Sequence, residues 1–310
     1  MGTMQTRIVT PFSTALLLSM LSAMPATADP FFFSTGTVNN LIATAARPGP
    51  ETGTNQETES ADDFFLPSAT RLNTATFTGL IPAGSSVSQV IVEIYRVFPA
   101  DSNTARTTFP VPPFSTPQVP ARQNSPSDVE FLDRDSASSG ELSFTTTSLS
   151  TFTSAQNSVD TGIHPIPGFN TGGDGAVSGR QEVQFNVTFT EPIELPADHY
   201  FFVPQVLLNN PDQHFLWLSA SRPIDATGTP FPPGITDLQS WIRNFQLEPD
   251  WLRIGADIVG GTTFNAAFTV DGVTVPEPAS LSLLGASLAG MGLFGWRRRR
   301  RYQSSARILP

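Results

Sequence analysis

The sequence predicts an all-β protein: one exported β-sandwich of jelly-roll type, with a signal peptide before it and one C-terminal transmembrane helix after it. Three observations point there. Apolar and polar residues alternate over short runs, as on half-buried strands. Pro and Gly, 28 and 23 of the 310 residues, punctuate those runs as turns do. No long amphipathic helix alternates with the strands, which argues against a parallel α/β sheet. With 39% hydrophobic residues, 24 of them Phe, the chain can bury a sizeable core.

The elements follow in order. Residues 29–60, rich in Thr, Gly and Glu, read as a partly ordered segment, although Phe31-Phe32-Phe33 must be covered and is expected to join a sheet as an edge strand. The sandwich is expected over residues 61–272. Ser60 to Phe65 carries a short helical signal. Leu72 to Leu80 reads as a strand, and Val87 to Val97 is apolar enough for a central strand covered on both faces. Seven prolines between Pro99 and Pro126 mark a long insertion, expected as an extended surface arm. Glu141 to Thr147 is a further strand. Val183, Phe185, Val187 and Phe189 alternate with polar neighbours, and Phe264, Ala266, Phe268 and Val270 repeat the pattern. Tyr200 to Leu208 and Phe215 to Ser221 complete the strands, and Thr236 to Phe245 carries a second helical signal.

The two ends have a different character. Residues 1–28 place Arg7 before an apolar stretch, Phe12 to Met24, followed by Ala26-Thr27-Ala28. Small residues at Ala26 and Ala28 suit signal peptidase, so this is the layout of a secretory signal peptide delivered through the Sec translocon. Cleavage after Ala28 leaves Asp29 first. Ala279 to Trp296 is an uncharged run of about 27 Å at helical rise, close to the hydrocarbon thickness of a bilayer. Arg297, Arg298, Arg299, Arg300 and Arg301 follow at once. Five guanidiniums stay cytoplasmic and fix everything N-terminal to them outside the inner membrane.

Between body and span stands Pro276-Glu277-Pro278. The prolines hold this piece extended and keep the sheet from running into the helix. The succession of Pro-Glu-Pro, apolar span and arginine block over residues 275–301 resembles the PEP-CTERM sorting signal of exported Gram-negative proteins. The resemblance implies export, tethering in the inner membrane, processing near Pro-Glu-Pro by an exosortase, and arrival at the cell surface or in biofilm matrix, often beside exopolysaccharide. It covers no residue of the body. Nine residues, 302–310, follow the arginine block as a cytoplasmic tail, where the family normally ends close to it.

Charge and chemistry bound the function of the body. From Asp29 to Pro278 there are 27 acidic residues against ten arginines, a formal charge of -17, which excludes nucleic acid as a partner. There is no Cys, hence no disulfide, thiol chemistry or Cys-based metal site. The three histidines, His164, His199 and His214, lie in no Gly-x-Ser-x-Gly or His-Glu-x-x-His context and read as local hydrogen-bonding groups at strand ends. Asp133, Asp135 and Glu141 share a polar loop whose hard oxygens suit calcium, but the spacing misses the EF-hand pattern and Arg134 competes for the carboxylates. No other cofactor is expected. Trp217 reads as core, whereas Trp241 and Trp251 could stack on a sugar. The expected function is a structural or adhesive surface or matrix protein without catalysis. Two rivals stay open: a carbohydrate-binding module for exopolysaccharide, and a secreted hydrolase of unfamiliar type.

Overall fold

The computed structural model describes residues 28–49, 56–104, 123–129, 131–163, 170–224, 231–261 and 263–276. The signal peptide up to Thr27, the apolar span, the arginine block and the 302–310 tail lie outside these residues. Among the described residues no helix is long and apolar enough to cross a membrane. Ala28–Val275 form one compact unit.

Its regular secondary structure, among the described residues, is nearly all strand. The strands are β1 (Pro30–Ser34), β2 (Val38–Ala45), β3 (Thr58–Leu66), β4 (Thr70–Pro82), β5 (Val87–Arg96), β6 (Asp133–Ser136), β7 (Leu142–Ala155) and β8 (Asn157–Val159). They continue with β9 (Val177–Leu195), β10 (Asp198–Leu208), β11 (Leu216–Ala220), β12 (Trp241–Asn244), β13 (Leu252–Arg253), β14 (Asn265–Ala266) and β15 (Phe268–Thr274). A π-helical segment, Ile254–Val259, is the one helix among the described residues.

Two sheets pack face to face. The larger is built on the long β4: β9 lies along one edge with β7 outside it, and the other edge is shared end to end by β15 and β11. Beyond β15 lies β1, and beyond β11 lie β2 and then β8, the last in parallel. The smaller sheet runs β13-β12-β3-β10-β5-β6. Where β15 gives way to β11, the Phe215 ring crosses Gly79 so closely that an added Cβ would stand 2.2 Å from it. Only a residue without a side chain fits beneath that ring.

The core lies between the sheets and is mostly phenylalanine. Phe77 stacks on Phe185 at 4.7 Å within the large sheet, and Phe202 of β10 stacks on Phe268 of β15 at 5.1 Å across the gap. Offset ring pairs of this kind add about 0.5–1.5 kcal/mol each beyond the apolar area they bury. Asp62 also bridges the sheets: its carboxylate accepts the Ser240 hydroxyl at 3.0 Å and the Ala266 N–H at 2.7 Å.

Two expectations need correction. Ser60 to Phe65 is not helical but part of β3, which is buried on both faces between β12 and β10. Thr236 to Phe245 is an extended approach into β12, whose four buried residues pair with β3 and β13. In both places cross-strand pairing overrides a weak local signal. The described residues of 29–60 supply β1, β2 and the start of β3. By contrast Phe31–Phe33 does form an edge strand, and β5 is buried from Val90 to Tyr95. The Pro-rich insertion joins β5 to β6. Its described flanks lie alongside the end of β5, where Phe98 donates to Ser125 O and Ser127 to Arg96 O, and its centre, 105–122, lies outside the described residues.

Candidate functional site

The body ends in a closed junction. The Thr274 N–H donates to the Asp29 carbonyl at 2.8 Å, and the Asp29 N–H donates back to the Thr274 hydroxyl at 2.9 Å. Val275 then donates to the Ala69 carbonyl at 2.7 Å. Pro276 has no N–H to offer, so backbone donation stops there. Ala28, the residue before the expected cleavage point, is the first described residue and Pro276 the last. Ala26, Glu277, Pro278 and Arg297 to Arg301 lie outside the described residues.

A buried charged network sits on the outer face of the smaller sheet. Register places Arg243 of β12 beside Glu59 of β3, and Glu93 and Tyr95 project from the same face of β5. Arg243 grips Glu59 through Nε and again through Nη2 at 3.0 Å, while Nη2 also donates to the Tyr95 oxygen at 2.8 Å. The Tyr95 hydroxyl lies 2.9 Å from both Glu59 and Glu93. Arg134 of β6 reaches the other oxygen of Glu93 at 2.6 Å. The Arg243 guanidinium lies over the Trp251 ring at 4.3 Å.

The two carboxyls are driven apart. Burial pushes Glu93 up to about 9, reinforced by the charge of Glu59 beside it. Burial pushes Glu59 upward too, but the charge and hydrogen bonds of Arg243 outweigh it and hold Glu59 below the ordinary carboxylate value. Near neutral pH the pair therefore holds one proton, on Glu93. Tyr95 has a single proton to donate, and the Glu93 carboxyl supplies the one its neighbour cannot. These groups, with Glu57, Glu248, Val129 and Phe131, border a cavity of about 160 Å³. A proton-bearing carboxyl beside an ionised one is the raw material of acid–base chemistry, although here the ionised member is committed to an arginine.

The histidines find carboxylates rather than serines. His199 Nε2 is hydrogen-bonded to Asp63 at 2.5 Å, and the Leu238 N–H also donates to Asp63. Burial lowers His199 to about 4 and raises Asp63 well above the ordinary carboxylate range, so both groups are driven toward their neutral forms. His214 Nδ1 bonds Asp160 at 2.7 Å. Among the described residues neither histidine is hydrogen-bonded to a serine, and His164 lies outside them.

Asp133 and Asp135 sit two apart on β6, and Glu141 follows the turn after it. Burial raises Asp133, and it carries Asp135 to about 6 with help from Asp133 and Glu141. Glu141 accepts the Ser139 hydroxyl and the Ser136 N–H. Arg134 turns to the opposite face and pairs with Glu93 instead of competing for these acids. Among the described residues no group of three or more His, Asp or Glu side chains is placed to hold a metal ion.

Trp241 and Trp251 are each 1% exposed, so neither offers a face for a sugar to stack on. Trp251 donates to the Ser127 carbonyl and closes a small second core with Tyr95, Phe201 and Trp241. Sequence reasoning missed this network because its members are scattered over residues 59, 93, 95, 134 and 243. Only the pairing of β12 with β3 and of β5 with β6, with β10 joining the two pairs, brings them together.

Residues 274–301 match the protein-family description "PEP-CTERM protein-sorting motif". No curated protein and no solved structure matches the chain. The motif implies export and anchoring by the C-terminus before processing, with an exosortase as the processing partner.

Proposed function

We propose that this chain, carrying a sorting motif at residues 274–301, is a structural or adhesive protein of the cell surface or extracellular matrix that acts without catalysis. The observation that carries the reading is the motif itself, which begins where the last strand ends. The leader directs export, the arginine block holds the span in the inner membrane, and the exosortase releases the body at Pro276-Glu277-Pro278. The acidic surface, with a formal charge of -17 over Asp29 to Pro278, keeps released bodies soluble and repels anionic polysaccharide that no cation bridges.

The test replaces Pro276, Glu277 and Pro278 with Ala in the full chain. Export continues and the C-terminus stays untrimmed, as read by intact mass. Trimming of the variant to the same end would overturn the assignment. A secreted hydrolase is the second reading, favoured by the protonated Glu93 beside Glu59 at a cavity. Glycan hydrolysis by the purified body, abolished in Glu93→Gln, would put that reading first.

A further inference from the structure

We propose that the outer edge of β7 is a self-association surface, on which a second copy of this chain adds its own β7 in antiparallel pairing. This rests on the structural reading above and supplies it with a contact. A sheet edge exposes unpaired N–H and C=O groups, and proteins normally protect it with brevity, charge or proline. The other edges here follow that rule. β8, β13 and β14 have two or three residues each, β1 begins with Pro30 beside Asp29, and β6 is Asp133-Arg134-Asp135-Ser136.

β7 does not follow it. Its 14 residues, Leu-Ser-Phe-Thr-Thr-Thr-Ser-Leu-Ser-Thr-Phe-Thr-Ser-Ala, contain no charge, proline or glycine. One edge pairs with β9, in unbroken register from Leu142 to Ser148. Among the described residues no strand pairs with the other edge. The strand also overhangs the core: Thr145 to Ser148 are exposed, and a cavity of about 350 Å³ opens beneath Phe144, Thr146 and Ser148. Further along, Leu149 is 51% and Phe152 81% exposed.

Charge selects the occupant. A body of net charge -17 repels its copies almost everywhere, yet along β7 it presents a neutral seam. Of the β9 residues opposite β7, Gln184, Asn186 and Thr188 are neutral, while Glu182 is buried and accepts the Thr153 hydroxyl and Arg180 donates to the His214 carbonyl. A second β7 brings no charge into the seam. It pairs Thr and Ser across the strands and covers Phe152 and Leu149. Antiparallel pairing of one strand with itself is two-fold, so the contact closes at a dimer. Main-chain hydrogen bonds supply the affinity, as in other strand additions.

The test uses the body 29–275, a compact unit containing every strand of the described residues. Sedimentation velocity over rising concentration should show a monomer–dimer equilibrium. Thr145→Lys with Thr147→Lys places like charges across the seam and should weaken dimerisation by about tenfold or more, with circular dichroism unchanged. The chain has no Cys, so Thr147→Cys should cross-link between copies with a short bismaleimide while the exposed Thr263→Cys should not. A body that stays monomeric, a lysine variant that dimerises as well as the parent, or equal cross-linking at both cysteines would each overturn the proposal. So would a β7 edge that captures a different protein but never itself. None of these results would touch the processing test.

Discussion

Replacing Arg243 with Met removes the one cation that holds Glu59 ionised inside the smaller sheet's outer layer. Glu59 is 5% and Arg243 6% exposed, and the pair is joined by two hydrogen bonds. Deleting one partner of such a pair leaves a buried charge uncompensated, at a cost of about 3–5 kcal/mol. Glu93 stands next to the stranded carboxylate and adds like-charge repulsion if it ionises. Loss of the guanidinium also uncovers one face of Trp251. The double variant Glu59→Met with Arg243→Met removes both charges while keeping volume, and should recover most of the loss. Urea unfolding of the body, followed by the emission of the buried Trp217, Trp241 and Trp251, measures both. A single variant that loses less than about 1 kcal/mol would refute the reasoning. So would a double variant as unstable as the single.

The pH dependence has a definite sign. Glu93 is raised from 4.5 to about 9, so between those values the folded chain holds a proton that the unfolded chain has released. Stability is therefore full below the lower value and falls as pH climbs toward the upper one. Glu93→Gln should flatten that slope by up to about 1.4 kcal/mol per pH unit, in urea titrations across the window; an unchanged slope would place the proton elsewhere. Gly79→Ala forces a Cβ to 2.5 Å from the Leu216 carbonyl as well as into the Phe215 ring. Overpacking of this kind costs about 1–3 kcal/mol, seen as a melting temperature several degrees lower; an unshifted melt would mean that the β15–β11 junction yields freely.

Much of the fold is legible in the sequence because its strands keep their period. Val183 to Phe189 alternates cleanly since one face meets the core and the other meets water, and β5 reads as continuous because both its faces are covered. Where a strand carries acids that are buried in pairs, the pattern fails. β3 contains Glu59, Asp62 and Asp63, each hydrogen-bonded to a partner more than 130 residues away, and nothing local marks them as interior. Trp241 and Trp251 look ambiguous for the same reason: the residues that bury them, Tyr95 and Phe201 for both and the Ser127 carbonyl for Trp251, are distant in sequence. The sorting motif, by contrast, is local and needs no tertiary context, so it can be read from residues 275–301 alone.

The contact between Asp29 and Thr274 orders events in time. The first strand, with three phenylalanines in a row, finds its neighbour only in the last strand, about 240 residues later. Until then β1 has no strand to pair with, and Phe33 has only rings such as Phe64 of the smaller sheet to lie against. A chain truncated before Phe268 would never shut this seam, so the body closes only with the residues that lead directly into Pro276.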